Sequence, residues 1–252
     1  DSWIDISNGL TNLFGFKCLA VNSNGHIFAA TLYDYTSHNE DVFRSTDGGE
    51  SWVELTGLNN YEVLSLSINS NNIIFVGTMG GILRSTDNGE NWIEINNGLT
   101  AYNVLAIAIN TDNDIFIGTR FGAGGIFRST DNGENWIEIN NGLTMLEVTS
   151  LAIKSTNEVF AGTPGDGVFC SINNGDFWIK INHGLNADYV NALVINSNND
   201  IFSGSIFGRM WRSTDNGENW SEINNGLSNA SIYSLAINSN DYLFLGTWNG
   251  GM

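Results

Sequence analysis

The chain has 252 residues, 42% of them hydrophobic, which is enough for a sizeable core; only 14% are charged, 27 acidic against 9 basic, for a net charge of -18. Such a surface repels phosphate backbones and anionic membranes, which disfavours nucleic acid and lipid headgroups as partners. No apolar run of about 18 residues is present to insert into a bilayer, and the amino terminus does not read as a leader peptide, which says little about compartment.

From the first residues onward the chain repeats. Trp3, Trp52, Trp92, Trp136, Trp178 and Trp220 follow one another at intervals of 49, 40, 44, 42 and 42 residues. Periods of about 40 to 45 residues belong to propeller blades, units that cannot bury their faces alone. Composition does not shift between copies and no Pro/Ser-rich linker intervenes. Residues 1–252 therefore read as one domain, with units starting near those tryptophans.

The third copy shows the plan. VLAIAI (104–109) is nearly all apolar, as a strand covered on both faces should be. NTDN turns the chain into DIFIGT (114–119), and a Gly-rich loop, RFGAGG, leads to IFRST (126–130). The DNGE turn then gives NWIEI (135–139), the most polar strand and so the outer one, before NNGLTAYN enters the next copy. Four antiparallel strands of falling hydrophobicity, repeated without helical periodicity, predict an all-β protein. The architecture expected is a β-propeller of about six four-stranded blades, with the apolar strand at the axis.

The most regular letters fall between third and fourth strands. Ser45/Asp47/Gly49/Trp52, Ser85/Asp87/Gly89/Trp92, Ser129/Asp131/Gly133/Trp136 and Ser213/Asp215/Gly217/Trp220 share one spacing, and Ser171/Asn173/Gly175/Trp178 differs only by Asn for Asp. An Asp or Asn at the turn accepts backbone N–H bonds, and the glycine two residues on supplies the positive φ of a tight hairpin. The serine bonds locally, and the tryptophan covers the turn toward the neighbouring blade. These residues are expected to serve the blade and not a substrate.

The S-x-D-x-G-x-x-W spacing resembles the Asp-box, or BNR repeat, of sialidases, xyloglucan-cleaving endoglucanases, sortilin-type receptors and photosystem II assembly factors. The resemblance covers the whole chain and implies the propeller fold, with the box a structural turn away from the working face. The chain begins DSW, the tail of a box, and ends GTWNGGM, where a third strand would start. Trp3 to Ile6 is therefore expected to complete the blade built from about 231 to 252. Two readings stand: a six-bladed ring closed with one short strand, or a portion of a longer array.

Because strands alternate in direction, the loops between second and third strands share a rim with the inter-blade loops, opposite the boxes. They read LYDYTSHNED, MGG, RFGAGG, PGDG, IFGR and WNGG, and so differ from copy to copy. Diversity on one rim of a uniform ring suits a binding face; drift in exposed loops is the alternative. Exposed aromatics tilt the reading to binding, and the candidates are Tyr33, Asp34, Tyr35, His38, Arg120, Phe121, Asp166, Phe207, Arg209 and Trp248. Aromatics with a few polar groups fit a protein loop or sugar rings.

The sialidase resemblance would imply three arginines on a substrate carboxylate, a Tyr–Glu pair and an Arg-Ile-Pro motif. Here Arg44, Arg84, Arg128 and Arg212 fill one slot before each box, leaving Arg120 and Arg209, and the sole proline is Pro164. Glycoside hydrolysis needs two carboxylates roughly 5 to 9.5 Å apart; Asp34, Glu40, Asp41 and Asp166 are the rim candidates. NTDND and NSNND lack the bidentate Glu of a calcium loop and read as ordinary turns. Cys18 and Cys170 form no CxxC and fall at different points of their repeats, as two buried thiols would.

The sequence thus points to a non-enzymatic binding or assembly module holding a protein or glycan on the variable rim, without cofactor or metal and without direct membrane insertion. Its acidic, Asn- and Gly-rich, Lys-poor composition and the usual setting of similar repeats suggest a secreted or periplasmic chain. The alternative is a glycoside hydrolase, endoglucanase-like or sialidase-like, or the propeller half of one. A photosystem assembly role is implied by fold resemblance alone, with no basic patch beside it.

Overall fold

The computed structural model describes residues 5–10, 15–32, 42–58, 61–186, 189–227 and 230–247. Among them all regular structure is strand. Blade 1 is β1 (Phe16–Val21), β2 (Ile27–Thr31), β3 (Val42–Ser45) and β4 (Val53–Leu55); blade 2 is β5 (Val63–Ile68), β6 (Ile74–Thr78), β7 (Gly81–Ser85) and β8 (Ile93–Glu94). Blade 3 is β9 (Asn103–Ile109), β10 (Ile115–Arg120), β11 (Ile126–Ser129) and β12 (Ile137–Glu138); blade 4 is β13 (Ser150–Ile153), β14 (Val159–Thr163), β15 (Gly167–Ser171) and β16 (Ile179–Lys180). Blade 5 is β17 (Val190–Ile195), β18 (Ile201–Ser205), β19 (Met210–Ser213) and β20 (Ser221–Glu222), and a sixth sheet holds β21 (Ile232–Ile237) and β22 (Leu243–Thr247). Each sheet is an antiparallel meander. The fold is a β-propeller.

First strands lie nearest the axis: β1 packs on β5, β5 on β9, β9 on β13, β13 on β17 and β17 on β21. Burial peaks one strand further out. Phe116 and Ile117 of β10 are fully buried, whereas Ile107, Ala108 and Ile109 at the end of β9 are only partly buried. The inner strand is therefore less fully covered at that end than its apolar letters suggested. The outer strand is shorter than NWIEI because Trp136 turns its N–H to Asn97 O of the preceding blade, at 2.9 Å.

Glycine sets the spacing between blades. A Cβ on Gly118 would lie 2.7 Å from Val148 of blade 4, and one on Gly162 2.5 Å from Val190 of blade 5. The same fit recurs between Gly77 and Val104 and between Gly204 and Ile232. The joint between the last described sheet and the first differs. Phe16, the counterpart of those β-branched residues, is 43% exposed, and a Cβ on Gly246 would meet only Ser234 of its own sheet. Ile6 does stand where an outer strand of a preceding blade would, since its carbonyl accepts the Trp52 indole N–H at 2.7 Å. The described residues do not close this joint, and Trp3 lies outside them.

Candidate functional site

The box rim is built from bonds that stay within the fold. Ser129 Oγ donates to Asp131 Oδ1 (2.8 Å) and accepts from Gly133 N (2.8 Å), while Asp131 Oδ1 accepts from Asn135 N (2.9 Å). The set repeats around Asp47, Asp87 and Asp215, where Ser45, Ser85 and Ser213 accept from Gly49 N, Gly89 N and Gly217 N. It survives the change to Asn173, with Ser171 accepting from Gly175 N at 2.9 Å. Side-chain hydrogen bonds from Ser51 and Asn91, then their backbone N–H groups and the box serines, hold Asp47 and Asp87 down at about 2. Asn132 and Gly133, at φ 57 and 87, form the left-handed pair of a tight hairpin turn.

The sequence gives the box glycines a conformational task, which their positive φ bears out, and the structure adds a packing one. Gly49, Gly89, Gly133, Gly175 and Gly217 are buried, not open turn positions. A Cβ on Gly49 would lie 2.6 Å from Ile6, one on Gly89 2.5 Å from Leu55 and one on Gly133 2.2 Å from Ile95. On Gly175 it would lie 2.3 Å from Ile139, and on Gly217 2.2 Å from Ile181. Each of these neighbours stands three positions after the preceding tryptophan of the repeat. The turn is thus seated on the outer edge of the preceding unit, and the missing side chain makes room for an aliphatic one. Residues so placed have no surface to offer a ligand, which agrees with a structural task and adds packing between blades to it.

The tryptophans carry the join further. Trp136, Trp178 and Trp220 donate their indole N–H to Ile95 O, Ile139 O and Ile181 O, each at 2.7 Å. Trp92 is the exception: it is half-buried and its Nε1 has no partner. The segment from Trp52 to Leu58 is one residue shorter than its counterparts, which shifts the carbonyl it would reach. Arg44, Arg84 and Arg128 donate to the carbonyls of Asn88, Asn132 and Asn174 in the next blade's turn, as their uniform slot predicts. Cys170 occupies that slot in blade 4, and Lys154 supplies the missing cation by bonding Asn216. The Cys170 thiol is pushed up to about 11 by burial and the nearby Glu158 charge; neither cysteine is in a disulfide, and Cys18 is only half-buried.

The opposite rim is mounted on threonines. Thr78 and Thr163 Oγ1 donate to the carbonyls of Gly81 and Gly167, folding each second-to-third loop back on its strand. Arg120 ends β10 and Phe121 opens the loop of blade 3. The Arg120 guanidinium lies 4.4 Å from the Phe121 ring centroid, and its Nε is 3.0 Å from Glu147, off the hydrogen-bond axis. Asp166, in the loop of blade 4, accepts from Lys180 and Thr144. Burial pushes its carboxyl upward, but those two bonds and the Lys180 charge outweigh it and hold it low. Phe207 and Arg209 are exposed on the loop of blade 5, bonded through their backbones to Ser205. Tyr33, Asp34, Tyr35, His38 and Trp248, with Glu40 and Asp41, lie outside the described residues.

Three exposed apolar side chains join this rim unannounced: Met79, Tyr102 and Leu146. Tyr102 and Leu146 come from inter-blade loops, whose TAYN and TMLE segments differ between copies as visibly as the loops between second and third strands. That difference was the available signal. Thr100 Oγ1 donates to Ala123 O at 3.4 Å, and a Cβ on Gly124 would lie 2.9 Å from Leu146 O, so the two kinds of loop are packed together. The calcium-like turns hold themselves: Asn110 Oδ1 accepts from Asp112 N and Asp114 N, at 3.0 and 2.8 Å.

Fold and boxes together define the class: this chain is an Asp-box (BNR) repeat β-propeller. The family model for the BNR/Asp-box repeat matches residues 211–222, and the model described as photosynthesis system II assembly factor YCF48 matches residues 35–138. No curated protein matches. Among solved structures, YCF48 bound to D1 peptide is similar at TM-score 0.71 and 17% identity, over 96% of this chain and 78% of that one. The GH74 xyloglucanase from Xanthomonas campestris gives 0.74 and 14%, over 96% and 45%. The extracellular domain of a protein described as a one component system from B. thetaiotaomicron gives 0.75 and 19%, over 95% and 32%, so the chain spans about a third of that relative's length.

Proposed function

We propose that this propeller is a non-catalytic binding or assembly module that holds a protein partner on its variable rim. The carrying observation is the row of exposed apolar side chains there: Met79, Tyr102, Phe121, Leu146 and Phe207. Four of the five boxes, by contrast, present polar groups bonded to their own turns. Exposed apolar area flanked by polar groups marks protein contact surfaces. The likeness to a propeller whose structure contains a bound peptide supports the reading. It extends to a secreted or periplasmic setting, supported by the extracellular neighbours and the acidic, Lys-poor surface.

Hydrolysis is the second reading, favoured by the xyloglucanase likeness. Its described carboxylate, Asp166, is held ionised by Lys180 and Thr144, the wrong state for a general acid. The two readings separate on one preparation. Binding of peptides selected from a random display library is expected to fall with Leu146→Ser and to survive Glu218→Gln on the box rim. Turnover of β-glucans or sialosides that disappears with Asp166→Asn would overturn the proposal.

A further inference from the structure

One residue of the variable rim has a backbone conformation its side chain does not favour. Among the described residues, ten that are not glycine have positive φ, and nine of them are Asn or Asp. Those side chains tolerate the left-handed region by bonding locally. The tenth is Phe121, at φ 64. The equivalent loops of blades 4 and 5 place glycines, Gly165 and Gly208, in the same region. A bulky aromatic there is strained, and such strain persists where surrounding structure imposes it, often at ligand clamps.

Burial does not offset the strain, because Phe121 is 62% exposed. The ring is braced instead. Arg120 lies over one face at 4.4 Å from the centroid, and Glu147 of the following inter-blade loop holds the guanidinium in place. Packing of the loop on Thr100 and Leu146 fixes its height. The result is an exposed aromatic knob with one face covered by a cation, on a loop packed against the Leu146 backbone.

The geometry points to Phe121 as the anchor of the rim: a pre-set aromatic that docks against apolar side chains of a polypeptide segment, with Arg120 and Glu147 as positioning residues. This rests on the protein-binding reading above. A polypeptide fits better than a glycan, because sugar hydroxyls removed from water need hydrogen-bond partners. Polar groups of the next loop are already engaged, Asp166 with Lys180 and Thr144 and Asn182 with Asp166 O, while Arg120 is ion-paired with Glu147. Leu146 adds aliphatic surface that no sugar requires. A rigid, exposed aromatic loses little entropy on contact, as the anchors of protein interfaces do.

The test uses the whole chain, with peptides selected on it from a random display library and affinities measured by fluorescence polarisation. Phe121→Gly relieves the backbone, so the urea midpoint is expected to stay level or rise while peptide affinity falls at least about ten-fold. Glu147→Gln is expected to weaken binding several-fold without moving the midpoint. If Phe121→Gly lowers the midpoint and leaves affinity unchanged, Phe121 is structural and the inference fails, while Leu146→Ser still decides the rim. If no peptide is selected, or binding is lost only with Ile172→Thr and Phe177→Asn on the box rim, the protein-binding reading fails with it. Oligosaccharide binding that depends on Phe121 would overturn the choice of polypeptide alone.

Discussion

The turn at Asp131 and the loop at Phe121 belong to the same blade and sit at its two ends, yet they answer to different demands. At the turn, carboxylate, serine hydroxyl, glycine and tryptophan are all bonded or packed within the fold, and a positive φ falls on Asn132 and Gly133, which accept it. At the loop, a positive φ falls on a phenylalanine, and the ring is left in solvent. The first arrangement gives stability to the blade. The second gives some up, which is what a working surface does.

Blade 4 blurs the division. Its box replaces Asp by Asn173 and places Ile172 and Phe177 where the other boxes have threonine and a hydrogen-bonding Ser or Asn. Ile172 is 79% exposed, and Phe177 cannot bond the turn through its side chain. The boxes are thus uniform in backbone but not in surface.

The comparison between ends breaks most sharply at the tryptophans. Trp136→Ala is expected to cost about 3 to 5 kcal/mol of unfolding free energy, since it empties a buried site and frees Ile95 O. Trp92→Ala, half-buried and without an indole partner, should cost about 2 kcal/mol by the same urea titration. Equal losses would show that the hydrogen bond between blades matters little.

Gly133→Ala comes next, at about 2 to 3 kcal/mol, because the new methyl strikes Ile95 and the φ is left-handed. Gly48, also at positive φ, has nothing within 4 Å, so Gly48→Ala should cost only about 1 kcal/mol. Inserting an asparagine between Thr56 and Gly57 restores the spacing of the other copies. It is expected to give the Trp92 indole a carbonyl and add about 1 kcal/mol. On the variable rim, Leu146→Ser should change stability by no more than about 0.5 kcal/mol while weakening peptide binding. A larger loss of stability there would erase the contrast between the two ends.

The box carboxylates also predict an acid limb. Asp47 and Asp87 titrate at about 2 in the fold against 3.8 for a free side chain. Their contribution is therefore fully present above about pH 4 and is lost as the pH falls toward 2. The Asp47→Asn, Asp87→Asn double variant should lose stability more gradually across that window. An unchanged limb would assign acid unfolding to other carboxylates.

Much of the fold was legible in the letters. Six tryptophans at near-even intervals, a period of two in the strands and Asp–x–Gly turns are local signals, and hairpins are local structures, so they fixed the blade and its boxes. The arginine slot was read as part of the blade, and Arg44, Arg84 and Arg128 bear that out by capping the next turn. The box glycines were half legible: the turn foretold their φ, but not that Gly49, Gly89, Gly175 and Gly217 lie buried against an aliphatic side chain some 40 residues earlier. The site was only partly legible. Variability marked Arg120, Phe121, Asp166, Phe207 and Arg209, and it marked the segments of Met79, Tyr102 and Leu146 too, but only the structure showed those three side chains exposed.

By itself the sequence determined the repeat, the strand order within a blade and the hairpin that closes it, because each depends on residues close together along the chain. Only the tertiary structure decided what depends on distant residues meeting. That includes the seating of each box glycine on the preceding unit, the joint between Phe16 and Gly246 that the described residues leave unclosed, and the unpartnered Trp92 indole. It also includes the capture of Asp166 by Lys180 and Thr144, and the strained, braced ring of Phe121. Contacts between blades join residues some 40 positions apart, and no local pattern of letters records whether they will fit.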